Sequence, residues 1–381
     1  MDMSVFEILE NWGVRDYKIL AKQDIDDITL GASILATGGG GDPEIGLLWA
    51  YNVINKGKEI VLIKPESVPN DAMIAMCGCL GAPVVLTEKT PNGNELNTAF
   101  QKLSGYVGKD FVGVIPPEAG GVNTTVPMAV AGELGLPVID GDGMGRAFPE
   151  LQMTSFHIGG VSASPVATIN EKGFAAIVDS EDAYMAENIV RQTAMACGGI
   201  SWIAGYPMNG DQVRSTCIPN TVSLTLELGR RVREARDVHN DPIEVVERIT
   251  GGWSAFKGKI VDINRDFGAE STKGFSMGQI VMEGLGDHKG STAVIDFQNE
   301  WLKLTVNGKL ICLPPDLITI LDSETAEPIR TDIVKYGYRG TVVVVPAHER
   351  MKTEKALEVC GPRAFGYDLD FVPLKKPLVF K

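Results

Sequence analysis

The stretch Phe111-Val112-Gly113-Val114-Ile115-Pro116-Pro117-Glu118-Ala119-Gly120-Gly121 is followed, after a helical window at Thr125 to Leu134, by Pro137-Val138-Ile139-Asp140-Gly141-Asp142-Gly143. Each is a short apolar run that stops at glycines and a carboxylate. Runs that are apolar throughout leave no side for water, and where they alternate with helices they read as parallel strands covered on both faces. The pattern recurs at Ile60 to Ile63, Met73 to Met76 and Val166 to Ile169, with a further helical window at Glu95 to Leu103. Upstream, Asp24 followed by Ile25, Ile28, Leu30 and Ile34 signals a helix that runs into Thr37 and the glycines Gly38 to Gly41. Asp42 and Pro43 then suit the N-cap and first turn of the next helix. The prediction is an α/β layer architecture with a mostly parallel sheet.

Beyond this region the pattern changes twice. Helical windows fill 182–250, at Ala183 to Ala196, Ser223 to Ala235 and Ile243 to Ile249. Alternating strands with turn signals then occupy 256–346: Gly258 to Ile263, Gln279 to Met282, Thr292 to Phe297, Leu302 to Val306, Leu310 to Cys312, Leu317 to Leu321 and Gly340 to Val345. Asn307-Gly308 between two of them is a strong hairpin signal. The division expected is an α/β domain at 1–172 that carries the candidate site and a second domain at 173–381. Its β-rich part is a smaller barrel or sandwich, and the packing of its helices on the first sheet is left open.

Composition limits the function. A net charge of −14 argues against a nucleic-acid surface. A 44% apolar chain with a mean hydropathy of +0.05 is globular rather than disordered. The N-terminal residues lack the features of a secretory leader, no window reaches the ~18 apolar residues of a membrane span, and six scattered cysteines do not make a disulfide scaffold. The expectation is a cytoplasmic protein with reduced thiols, acting on a small molecule, with neither nucleic acid nor membrane as partner; homo-oligomerisation is left open.

Several motifs fail on inspection. The glycine run lacks the Gly-Lys-Ser/Thr of a phosphate loop, and its spacing misses the dinucleotide fingerprint, so no nucleotide cofactor is expected. What remains at Gly39, Gly40 and Gly41 is either amides free to meet an anion or polarised carbonyl, or a tight turn with no ligand. Gly274-Phe275-Ser276-Met277-Gly278 has the spelling of a nucleophile elbow, but polar residues precede it and Ile280-Val281 follow, so it reads as a β-turn.

The best constellation lies where three strands end. Met76 is followed by Cys77-Gly78-Cys79, Ile115 by Pro116-Pro117-Glu118-Ala119-Gly120-Gly121, and Ile139 by Asp140-Gly141-Asp142-Gly143. Ligands of open α/β sheets bind outside the carboxyl ends of strands, so these loops can share one crevice. Asp140 and Asp142 could hold a divalent metal or divide acid and base roles, or could form a solvated turn; Arg146 could hold a carbonyl. His157 reads either as ligand or proton carrier or as a core histidine. Cys79 is a candidate ligand or nucleophile set against an inert buried thiol. His239 and His288 sit in polar turns, and His348 follows the last apolar strand.

Thr37 to Pro43, Glu118 to Asn123, Asp140 through His157, and Cys360 to Asp368 together make the chain resemble the S-methyl-thiohydantoin desulfurase family, which is hydantoinase-related, over about residues 25 to 374. The resemblance implies a three-layer α/β domain joined to a β-barrel-like domain. It also implies hydrolysis at a hydantoin-type ring, in which water replaces the methylthio group and methanethiol leaves. Carried over as candidate catalytic positions are Glu118, Asp140, Asp142, Arg146 and His157; Gly39, Gly40, Gly41, Gly120, Gly121 and Asn123 are candidate substrate contacts. One divalent metal such as zinc, on Asp142, His157 and Cys79, is a further expectation. A different reading makes the chain a non-catalytic binding or assembly subunit of a hydantoinase-type enzyme.

Overall fold

The computed structural model describes residues 4–89, 91–266 and 275–375. An eight-stranded sheet runs in the spatial order Tyr17–Ile19, Val61–Ile63, Pro137–Ile139, Gly113–Ile115, Met73–Gly81, Ile200–Asn209, Val166–Ile169, Ala175–Val178. The apolar runs of the sequence form its centre. Side chains alternate strictly there: Leu62, Ala75, Val114 and Val138 enter one core, whereas Val61, Ile63, Ile74, Met76, Ile115 and Ile139 enter the other. The first core is closed by the helices Lys22–Leu35, Pro43–Asn55, Glu95–Val107 and Gly121–Leu134, the second by Val5–Asn11 and Ala183–Ala196.

The sheet is mixed rather than mostly parallel. Val61–Ile63, Pro137–Ile139, Gly113–Ile115 and Met73–Gly81 are parallel neighbours, but every other pairing is antiparallel. An all-apolar run reports burial on both faces and carries no information about strand direction. Ile200–Asn209 and Ala175–Val178 also lie beyond residue 172, so the chain returns to the first sheet after the expected boundary. Ile200–Asn209 is hidden in the sequence by Gly198-Gly199 before it and by Tyr206-Pro207 within it, where Tyr206 takes a positive φ of 48°.

Two helices of distant sequence meet across glycines. Lys22–Leu35 crosses Thr221–Asp237 so closely that a Cβ on Gly31 would lie 1.9 Å from the Thr225 carbonyl oxygen, and one on Gly229 1.8 Å from that of Asp27. Asp140 fixes the start of the second helix, accepting hydrogen bonds from the Ser223 amide and hydroxyl. It acts as an N-cap supplied from another element.

The second sheet is wholly antiparallel, in the order Lys309–Cys312, Glu300–Val306, Thr292–Gln298, Met277–Gly284, Trp253–Asp266, Arg339–Val345, Leu317–Asp322, and it curls until Glu300–Val306 approaches Leu317–Asp322. Asn307 and Gly308 both take positive φ, as a two-residue hairpin turn requires. Ile318, Ile320, Val342 and Val344 fill its interior; Leu317, Leu321, Val343 and Val345 face outward into a third core shared with Ile34, Leu35, Met144, Phe148 and Leu228. That shared core joins the two sheets. Among the described residues, no helix is long and apolar enough to cross a membrane.

Arg146 pins this junction. Its guanidinium is fully buried and donates to the carbonyls of Ala147 (3.0 Å), Pro315 (3.1 Å), Asp316 (2.8 Å) and Trp301 (3.3 Å) and to the Thr37 hydroxyl (2.9 Å), while its central carbon lies 4.3 Å from the Phe148 ring centroid. A substrate carbonyl would have to displace one of these partners, so Arg146 belongs to the junction rather than to ligand binding.

These contacts set two expectations for stability. Alanine is a better helix former than glycine by about 1 kcal/mol, yet Gly31→Ala and Gly229→Ala should each lower the unfolding free energy by about 1–3 kcal/mol through overpacking, measured by denaturant unfolding. Arg146→Ala should cost at least about 3 kcal/mol because it strands several buried carbonyls, and Arg146→Lys should not restore it, since an ammonium cannot span the same partners. An Arg146→Lys protein of unchanged unfolding midpoint would contradict the pinning role.

Candidate active site

Three loops and one hairpin tip converge at the carboxyl ends of the central strands. Glu118 follows the strand Gly113–Ile115, and Asn123 lies in the first turn of the helix Gly121–Leu134 that the same loop opens. The Asn123 amide donates to Glu118 Oε1 (2.8 Å) and to the Cys79 carbonyl (3.2 Å), and its oxygen accepts from the Cys79 amide (2.7 Å). One side chain therefore ties two strand ends together. Gly78 has to be glycine here: a Cβ would come within 2.8 Å of Asn123 Oδ1. The second Glu118 oxygen accepts from the Phe148 amide at 3.3 Å.

The glycine loop meets this arrangement backbone to backbone. Gly40, at φ +76°, accepts from the Val122 amide (3.0 Å), and a Cβ on it would sit 2.9 Å from Gly120 Cα. On its other side the loop receives the hairpin tip Asn299-Glu300-Trp301. The Trp301 amide donates to the Thr37 carbonyl (2.7 Å), and the Glu300 side chain lies against Gly39, where a Cβ would be 2.1 Å from Oε1. The resulting open-mouthed cleft, about 90 Å³ in cavity volume, has apolar walls from Met76, Leu80, Leu86, Ile200 and Ile203, and polar groups from Cys79, Glu118, Asn123, Glu150, Asn299 and Glu300. Apolar walls with a few convergent polar groups are the usual character of a small-molecule site.

Burial dominates the electrostatics. Glu118 is 5% exposed, and desolvation pushes its carboxyl up to about 7 despite the opposing hydrogen bonds from Asn123 and Phe148 and the charge of Arg146. Glu300 is 3% exposed and held well above the usual carboxylate range, first by burial and then by the Glu118 charge. Cys79 is pushed up to about 12 by burial and by Glu118, so it is a thiol rather than a thiolate at neutral pH.

The other predicted positions lie outside the cleft, Asp142 behind Glu118 in a narrow gap that both line. Asp142 Oδ1 accepts from the amides of Met144 (3.2 Å) and Gly145 (2.9 Å), which closes its own loop, and Asp140 caps the helix Thr221–Asp237. Neither lines the cleft. His157 is half-buried at the end of the one-turn helix Ser155–Ile158, edge-on to Tyr184, with Asp182 and Lys355 as its charged neighbours; burial holds its pKa below the ordinary value. Gly121 packs against Pro43 and Ser33, outside the cleft wall. His348 caps a short helical turn and His288 stacks on Phe256. Ser276 donates its amide to Asn299 and its hydroxyl accepts from Arg265; Gly274 of that motif lies outside the described residues.

A zinc-type set would require Asp142, His157 and Cys79 to converge. Among the described residues no three His, Cys, Asp or Glu side chains gather in such a way, and the Asp142 oxygens are already held by backbone amides. The residues present do not fit the expected ion.

Glu300, Asn299, Phe148, Glu150 and Thr154 also line the cleft and were not anticipated as site residues. Strand alternation puts Glu300 opposite the core residue Trp301, a position that reads as solvent-facing from sequence. Only the docking of the distant glycine loop covers it.

No curated protein matches the chain. A crystal structure of a protein from Chromobacterium violaceum has the same fold, with a TM-score of 0.75, at 21% identity over 94% of this chain and 100% of that one. The family models described as S-Me-THD-like, N-terminal domain and S-Me-THD-like, C-terminal domain match residues 23–180 and 180–374. Between them they cover the second sheet, all of the first but its edge strand Tyr17–Ile19, and every side of the cleft, and the chain belongs to the S-Me-THD-like family, the one its glycine loop and strand-end motifs resemble.

Proposed function

We propose that the cleft hydrolyses a small hydantoin-type ring, replacing the methylthio group of an S-methyl-thiohydantoin with water and releasing methanethiol. The observation that carries this reading is Glu118. A general base works best when its pKa lies near the operating pH, and burial pushes this carboxyl up to about 7 without any permanently charged partner in hydrogen-bond contact. Family membership supports the ring type.

In this account Glu118 removes a proton from a water molecule as its oxygen bonds to the ring carbon carrying sulfur. The pair of the ring C=N bond moves to nitrogen. As the C–S bond then breaks, the new hydroxyl becomes the ring carbonyl, its proton ends on the ring nitrogen, and the protonated Glu118 returns the first proton to the departing thiolate, which leaves as methanethiol. Asn123 orients the carboxylate through Oε1, and the side-chain-free Gly40–Gly41 backbone on the cleft wall offers a flat surface to the ring and its carbonyls. The Cys79 thiol is a wall group here, since its proton is held too tightly for nucleophilic attack.

Thiol release over a panel of S-methyl-thiohydantoins tests the reading. Wild-type protein should turn over alone, with kcat/KM rising through about pH 7 as Glu118 ionises; Glu118→Gln should lower kcat by ~10²–10⁴. Binding without turnover, with activity appearing only in a complex, would support the assembly-subunit reading instead. The same substitution should change stability in the opposite sense. Because the folded carboxyl holds its proton more tightly than an exposed glutamate, its contribution is present below about pH 4.5 and is lost as pH rises through about 7. A neutral carboxamide in place of the carboxyl escapes that loss, so Glu118→Gln should be more stable than wild type at pH 8, by at most about 3 kcal/mol, and little different at pH 4. Parallel urea titrations at the two pH values measure this.

A further inference from the structure

The cleft contains a second buried carboxyl that the hydrolysis as described leaves unused. Glu300 comes from the tip of a hairpin in the second sheet, and its Oε1 is wedged against Gly39. Its Oε2 has no hydrogen-bond partner among the described residues, although the atom is inaccessible to solvent and the residue lines the cleft. An unsatisfied buried oxygen is costly and uncommon, and a carboxyl retained in that condition requires an explanation. The charged groups that act on it are Glu118, Arg146 and Arg191. Arg146 is committed to the carbonyls of the junction, and Arg191 is engaged with Glu187, the Pro149 carbonyl and the Phe275 ring.

Building on the hydrolysis proposed above, we infer that Glu300 is a second catalytic residue, a neutral carboxylic acid that turns its unpartnered Oε2 hydroxyl to the ring nitrogen as the substrate enters the cleft and gives it a proton. Two buried carboxyls in one cleft resist double ionisation, and Glu300, whose Oε2 has no donor to hold an anion while Glu118 accepts from Asn123 and Phe148, is the one that keeps its proton. As water adds to the ring carbon and loses a proton to Glu118, the C=N pair moves to nitrogen and takes the Glu300 proton. When the thiolate leaves with the proton from Glu118, the new hydroxyl on the ring carbon becomes a carbonyl and its proton returns to Glu300. Water and thioimidate have become hydantoin and methanethiol, and both carboxyls are restored. The arrangement also defines a substrate class: a ring that presents a hydrogen-bond acceptor to the hairpin tip while its leaving group faces Glu118. Each sheet supplies one of the two proton carriers, so the centre is complete only when the glycine loop and the hairpin are docked.

Two measurements test the role of Glu300. The first is the pH profile of thiol release. Wild type should show an ascending limb from Glu118 and a descending limb at higher pH from Glu300; Glu300→Gln should lower kcat by ~10²–10³ and abolish the descending limb while keeping the ascending one. The second is calorimetric binding of a substrate analogue in which a methylene replaces the sulfur, so that the ring C=N nitrogen remains an acceptor and nothing can leave. Wild-type affinity should weaken as pH rises into the descending range, with proton uptake on binding. Glu300→Gln, whose amide still donates, should bind this analogue within a few-fold at neutral pH and without that pH dependence. A wild-type enzyme that releases thiol, with a Glu300→Gln variant retaining kcat and both limbs, would overturn the role of Glu300 and leave the hydrolysis standing. Wild-type protein that neither releases thiol nor binds the analogue would overturn the hydrolysis and this inference with it. Should Glu300→Gln fail to fold, wild-type binding of the analogue that is flat with pH still contradicts the acid role.

Discussion

A loop without side chains, Gly38 to Gly41, can be approached from several directions at once, and this structure uses that property twice. Gly40 meets Gly120 on the side of the first sheet; Gly38 and Gly39 meet Trp301 and Glu300 on the side of the second. A Cβ on Gly38 would collide with the Trp301 ring and one on Gly40 with the Gly120 backbone, so either would force one side to shift. With the loop in place, the hairpin tip reaches the strand ends, the third apolar core closes over Arg146, and Glu300 is brought into the cleft that contains Glu118.

Much of the site was legible in the sequence because strand ends of an open sheet have a known relation to ligands. The apolar runs located the central strands, and the residues at their ends led to Glu118 and Cys79; the glycine loop, read at the end of a helix, and Asn123, implied by the family resemblance, meet them at one place. The same argument ranked Asp140 and Asp142 just as highly, because a carboxylate beside a glycine has the same spelling whether it faces a cleft or caps a helix. What separates them is the identity of the donor: Asp140 and Asp142 accept from amides of an approaching helix and of their own loop, which is the local competition that Asp favours in turns. Strand direction was not legible, since burial on both faces looks alike in either direction. Ile200–Asn209 was obscured by the Tyr206-Pro207 irregularity in its middle. Glu300 could not be read at all. Its burial depends on a loop more than two hundred residues away in the chain, and no local pattern encodes that.

The site is expensive in stability. Two carboxyls buried at 5% and 3% exposure, and a guanidinium at 1%, all work against folding unless each is satisfied. Arg146 is satisfied by fixed carbonyls and the Thr37 hydroxyl, and Glu118 by Asn123 and a backbone amide. Glu300 alone of the three retains an unpartnered buried oxygen among the described residues. The contrast separates scaffold from chemistry more sharply than residue type does: a buried charge with complete partners holds the structure together, and a buried acid with an incomplete set is positioned for something that arrives later.

The protonation state of Glu118 at neutral pH tests the account most directly. Carbon-13 NMR of glutamate-labelled protein, with Glu118→Gln used to assign its carboxyl resonance, measures its pKa in the intact chain. A value close to 7 is expected, reached through burial of this carboxyl in the cleft wall. A value in the ordinary range of exposed glutamate, near 4.3, would mean that the cleft is wet, that Glu118 is a permanently ionised surface carboxylate, and that the acid–base account built on it is wrong.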